Sequence, residues 1–158
     1  GCHTDPMAEL KDRLRSDLTV SMRGRDELRT ATIRMVLTAV TNTEVAGAQA
    51  REISDDEVVG VLAKEAKKRR DAADAFRQGG RPDLAEREDA EAAVIARYLP
   101  APLTDDELDA LVDAAVAETG ATSLREMGAV MKRLATDVAG RADGARVAAA
   151  VKARLAGA

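Results

Sequence analysis

The chain has 158 residues, 24 Lys and Arg against 28 Asp and Glu, a formal net charge of -4, and one Phe, one Tyr and no Trp. This length holds one ordinary domain or two small ones, and the acidic balance gives no general attraction to nucleic acid. No apolar run approaches the roughly 20 residues that span a bilayer, so a soluble, cytoplasmic protein with no membrane partner and no DNA partner is expected.

The first six residues, "GCHTDP", precede Met7 and read as an expression remnant outside the fold. They hold the only cysteine, Cys2, and the only histidine, His3. Setting them aside leaves no thiolate nucleophile, imidazole base, disulfide or zinc-type ligand set, so no catalytic residue, metal or other cofactor is expected. Alanine is abundant and is the best helix former, with long charged side chains next. The expectation is an all-α chain whose helices meet through thin, closely spaced contacts.

Met7, Leu10, Leu14, Leu18 and Met22 recur at three and four residues, which predicts one face of a first helix ending near Gly24. A second helix is expected over residues 26–45. Its apolar residues, including Leu28, Ile33, Met35, Val36 and Val40, cover more than one stripe and mark it as the most buried element. The stretch "AGAQARE", residues 46–52, reads as a loop. Three helix starts then carry a hydroxyl followed three residues later by glutamate: Ser54 with Glu57, Thr104 with Glu107, and Ser123 with Glu126. This is the spacing of the capping box, which satisfies free amides at a helix N-terminus.

The third helix is expected over residues 55–78, stopping at Gly79 and Gly80, and Pro82 suits the first turn of a fourth that reaches Tyr98 or Leu99. "YLPAPLT", residues 98–104, carries two prolines and cannot continue a helix. It divides the chain into an N-terminal domain of about four helices, residues 7–99, and a small three-helix C-terminal domain, residues 100–158. The latter's helices are expected over residues 105–118, 124–138 and 144–155.

The basic run "KEAKKRR", residues 64–70, invites a nucleic-acid reading, but helical spacing divides it. Lys64, Lys67, Lys68 and Arg70 spread over a polar half, with Lys67–Asp71 and Arg70–Asp74 spaced for ordinary surface ion pairs. Arg69 instead shares the apolar stripe of Leu62, Ala66, Ala73 and Phe76, and Glu88 and Glu91 fall on the stripe of Leu84, Ile95 and Tyr98. An antiparallel hairpin turning near Gly80 would pair Arg69 with Glu91 or Glu88, a structural role, since an inward guanidinium needs a carboxylate partner.

Near the C-terminus, Leu124, Met127, Met131, Leu134 and Val138 form an apolar seam with Gly128 beside it. A mid-helix glycine costs about 1 kcal/mol relative to alanine, so either another helix packs closely there or a ligand backbone approaches. Gly140 stops the helix, and Asp143 is placed to cap the next. From residue 121 onward, Arg125, Lys132, Arg133, Arg141, Arg146, Lys152 and Arg154 face only Glu126, Asp137 and Asp143. The acid-only stretch 104–118 precedes them.

"GAVMK", residues 128–132, then "GRADGARV", residues 140–147, and the spaced Val147, Val151 and Leu155 resemble the C-terminal tail of the B subunit of the tRNA-dependent aspartyl/glutamyl amidotransferase. "KEAKKRRDAADAFRQGGRPDLAEREDAEAAVIARYLPAPLTDDEL", residues 64–108, resembles more closely still the small stand-alone proteins of the GatB/YqeY family. The resemblance covers nearly everything from Met7 and implies an all-helical protein of two parts. It implies a carbon-nitrogen ligase label inherited from the shared tail, and a tail that engages tRNA. Gly128, Lys132, Gly140, Arg141 and Asp143 fall in the matching motif, and Arg133, Arg146 and Lys152 add charge for phosphates.

The leading expectation is therefore a non-catalytic module that contacts tRNA or another folded RNA through its backbone, which requires no aromatics. The alternative is a protein adaptor that docks on an amidotransferase or another partner without RNA contact. Catalysis by the chain alone would have to use Ser16 or Ser21, since Ser54 and Ser123 are given capping roles, and no phosphate-cradling glycine loop is present.

Overall fold

The computed structural model describes residues 9–157. The remnant assigned to residues 1–6, with Cys2 and His3, and the start at Met7 lie outside the described residues. The chain is all-α, with seven α-helices and no strand among the described residues. They are α1 (Glu9–Arg23), α2 (Glu27–Val45), α3 (Asp55–Gln78), α4 (Pro82–Ala96), α5 (Asp105–Thr119), α6 (Met127–Val138) and α7 (Gly144–Ala156), with a 3-10 turn at Leu124–Glu126 before α6. Contacts divide the chain into two compact units, one ending at Leu99 and the other beginning at Pro100.

The first unit closes around Leu14 of α1, Ile33, Val36 and Val40 of α2, Val58, Leu62 and Ala66 of α3, and Ile95 of α4, with Ile53 and Tyr98 sealing its ends. Burying each Val, Leu or Ile is worth about 1.5–3 kcal/mol. Between α3 and α4 the buried residues include Ala66, Ala73, Ala85 and Ala92, so the hairpin approaches through methyl groups. The helix-1 stripe needs one correction: Met22 is 49% exposed, and Ser21 is buried instead. Ser21 hydrogen-bonds the Leu18 carbonyl and the Thr30 hydroxyl, both at 2.9 Å, which satisfies it inside the α1–α2 turn.

Charge is built into this core. Lys11 is only 3% exposed and places Nζ 2.6 Å from Glu44 and 3.3 Å from Glu52. Burial pulls its pKa down, yet the hydrogen bonds to Glu44 and Glu52 outweigh that and leave it raised. Glu44 also accepts the Ile53 amide at 3.2 Å, so one carboxylate fastens α1 to the end of α2 and to the approach to α3. Tyr98 donates to Asp17 at 2.5 Å, and the Arg13 guanidinium lies 4.8 Å from its ring centre. These contacts tie the chain after α4 back to α1.

Arg69 lies among three carboxylates. Glu65, one turn back on α3, is the nearest at 3.2 Å, with Glu88 at 3.8 Å and Glu91 at 4.0 Å across the hairpin on α4. Sequence spacing pointed across the hairpin and passed over Glu65, which is buried. The Arg69 Nε and Glu88 Oε2 atoms are buried without a hydrogen bond, so the cross-hairpin attraction is one of charge alone. Burial, then repulsion from Glu88, raises the Glu91 pKa. On the outer face Lys67 meets Asp71 at 2.8 Å as expected, but Asp74 pairs with Arg77 rather than Arg70.

The second unit packs α5, α6 and α7 around Leu103, Leu108, Val112, Val116, Val130, Leu134, Val147, Val151 and Leu155. Two capping boxes form as read, Ser54 with Glu57 and Thr104 with Glu107. The third does not. Ser123 makes no side-chain cap, and Glu126 is taken by the Thr122 hydroxyl at 3.3 Å. A 3-10 turn fills this start, and its tighter winding turns the following residues: Leu124 is 47% exposed while Val130, outside the expected seam, is fully buried.

Two outcomes follow. Thr104→Ala should cost about 1 kcal/mol in urea unfolding, whereas Ser123→Ala should stay within about 0.5 kcal/mol. Because the folded pKa of Glu91 lies above its unfolded value, the cost of burying it ionised is absent below about pH 4.5 and sets in as pH rises through the folded value. Glu91→Gln should therefore raise the melting temperature at pH 7, and the gain should shrink as the pH is lowered toward 4.

Candidate nucleic-acid interface

The turn between α6 and α7 sets the geometry of the C-terminal charges. Gly140 takes φ 72°, which glycine adopts without cost, and the Arg141 and Ala142 amides both donate to the Val138 carbonyl. Asp143 caps α7 by accepting the Arg146 amide at 2.8 Å. The turn then grips the segment that leads into α5: the Leu103 amide donates to the Arg141 carbonyl at 2.9 Å, and Arg141 Nε donates to the Ala101 carbonyl at 3.1 Å. Arg146 donates to the Leu103 carbonyl at 2.7 Å.

The arginines also meet the acidic helix. Arg146 pairs with Asp105 at 2.7 Å, Arg154 with Asp113 at 2.8 Å and Arg141 with Glu107 at 3.8 Å. Arg133 hydrogen-bonds Glu118 and lies 3.2 Å from Asp137; the Glu118 contact holds its pKa above the ordinary arginine value. Glu107 is held below the usual carboxylate range, chiefly by the Thr104 amide and hydroxyl, with Arg141 adding to it. The basic tail and the acid-only stretch, separate signals in the sequence, thus neutralise one another along α5. These pairs are half exposed and are individually weak.

Among the candidate cations, Lys132 and Lys152 are exposed and form no ion pair among the described residues, and the same is true of Arg125, which sequence reading left outside the candidate set. Gly128 is exposed, and a Cβ there would meet nothing within 4 Å. Close packing of another helix within the unit is therefore not what Gly128 serves. Arg125, Gly128 and Lys132, three and four residues apart, line the start of α6 with cation, bare backbone and cation. The spacing alone was legible, as was the Arg133–Asp137 pair one turn apart, but that Glu118 reaches Arg133 and no acid reaches Arg125 depends on where α5 lies.

A family model for YqeY-like proteins matches residues 11–155. The chain belongs to the YqeY-like family. The family is that of the GatB C-terminal-like domain, in keeping with the tail motif at residues 128–147. Among curated proteins, the chain is 33% identical over 97 residues to "Altered inheritance of mitochondria protein 41, mitochondrial" of Lachancea thermotolerans, covering 61% of this chain and 49% of that protein. It is 34% identical over 105 residues to the protein of the same name from Clavispora lusitaniae, covering 66% and 60%. An uncharacterised protein of Schizosaccharomyces pombe is 32% identical over 88 residues, covering 55% of this chain and 69% of that protein. The chain spans about half to three-fifths of the length of the first two relatives it matches. Their names correct the cytoplasmic expectation, because these relatives are mitochondrial proteins. Composition of a folded core does not record its compartment, which targeting segments specify.

With open space at its Cβ position, Gly128→Ala should stabilise the C-terminal unit by about 0.4–1 kcal/mol through lower unfolded-state entropy. Chemical denaturation of the purified variant checks this, and a loss of stability would mean that the helix is packed there by something the unit itself does not supply.

Proposed function

We propose that this YqeY-like protein is a non-catalytic RNA-associated module whose C-terminal unit contacts the backbone of a folded tRNA. The observation that carries the reading is the exposed start of α6, where Arg125 and Lys132 are left unpaired on either side of the bare Gly128 backbone. Unpaired cations can release counterions from phosphates without first breaking an internal ion pair, and a missing side chain lets a sugar-phosphate backbone come close. Recognition of folded RNA by shape and backbone suits a chain with so few aromatic residues. The amidotransferase-like tail supplies the choice of tRNA, and the carbon-nitrogen ligase label is not extended to this chain's own residues.

The reading predicts modest, salt-sensitive affinity. With about two to three phosphate contacts, log affinity should fall against log salt with a slope of roughly -2 to -3. Fluorescence anisotropy with folded tRNA and an unrelated duplex RNA tests it. Arg125→Ala with Lys132→Ala should weaken tRNA binding at least about tenfold with unchanged helicity, and Gly128→Ala should weaken it while stabilising the fold. Absence of tRNA binding at low salt would sink the reading and move the weight to a protein adaptor, whose docking surface would be sought around the exposed Val20 and Met22.

A further inference from the structure

The carboxylates of α5 stand on both sides of its apolar stripe of Leu108, Val112 and Ala115, and each side faces arginines of the tail. Asp105 and Asp113, two turns apart, meet Arg146 and Arg154 of α7 at 2.7 and 2.8 Å. Asp109 lies between them on the same side of the helix, and Asp106 lies beside Asp105. Neither has an ion pair among the described residues. Pairing is thus selective within one acidic helix.

An arginine pairs with a carboxylate and with a phosphate through the same planar fork of N–H donors. We infer that α5 is a built-in competitor: its carboxylates occupy the tail arginines in the positions that RNA phosphates would take, and so limit how many cations the C-terminal unit offers to RNA. This inference rests on the tRNA reading above and adds to it a control of affinity. The pairs are suited to exchange. Asp105 is 92% exposed and Asp113 63%, with Arg146 and Arg154 at 34% and 42%, so water and salt already weaken them. Arg146 is also anchored to the Leu103 carbonyl, which leaves its second amino group as the exchangeable part, whereas Arg154 pairs with Asp113 alone among the described residues.

The test compares two variants of equal charge on the same helix. Asp105→Asn with Asp113→Asn frees arginines; Asp106→Asn with Asp109→Asn removes two charges that hold none. Binding to folded tRNA is measured by anisotropy across a salt series, with thermal melts to confirm folding. The first variant should bind about 3- to 10-fold tighter, with a salt slope steeper by roughly one to two contacts, and the second should change affinity by less than about twofold. Adding Arg154→Gln to Asp113→Asn should cancel that single variant's gain. Equal gains from the two charge-matched variants would overturn the inference, since only overall charge would then matter, while leaving the tRNA reading intact. No tRNA binding by wild type and variants alike would overturn the reading and the inference together.

Discussion

A cation held between two helices needs a carboxylate from one of them, and this requirement organises both units. Helices that meet through alanine leave little apolar area to offset desolvation, so an unmatched charge at such a contact would cost more than the packing returns. Lys11 is matched by Glu44 and Glu52. Arg69 is matched by Glu65, Glu88 and Glu91. Along α5, four acids take Arg133, Arg141, Arg146 and Arg154. What remains unpaired after this matching is the protein's electrostatic offer to a partner.

The two units meet the requirement at different depths, with different consequences. The Lys11 pair is buried, and removing either partner would leave a charge stranded in the core of the first unit. The charge around Arg69 is overfilled, with three carboxylates near one guanidinium, and burial, joined by repulsion from Glu88, raises the pKa of Glu91. Along α5 the pairs sit at the surface, where salt screens them and exchange with another anion is cheap. The first unit uses ion pairs as fasteners. The second keeps its cations within reach of solvent.

This distinction changes how the tail is read. Seven cations against three acids look like a nucleic-acid surface when the C-terminal segment is considered alone. Folding brings α5 against it and reduces the free set to Arg125, Lys132 and Lys152. The proposed RNA contact therefore draws on only a few cations, and a small patch of that kind predicts weak, salt-sensitive binding.

Helix content, the α3 limits, two of three capping boxes and the Asp143 cap were determined by local sequence, because each depends on residues within one turn of one another. The family was legible too, in motifs that keep their order along the chain. Tertiary structure decided the rest. Ser123 and Glu126 have the spacing of a capping box, but Thr122 and a 3-10 turn claim that position and rotate Val130 inward in place of Leu124. Arg125 stays free while Arg133 meets Glu118 of α5, because that pair depends on which helix lies opposite. That is a relation between segments distant in the chain, and no local pattern of residues encodes it.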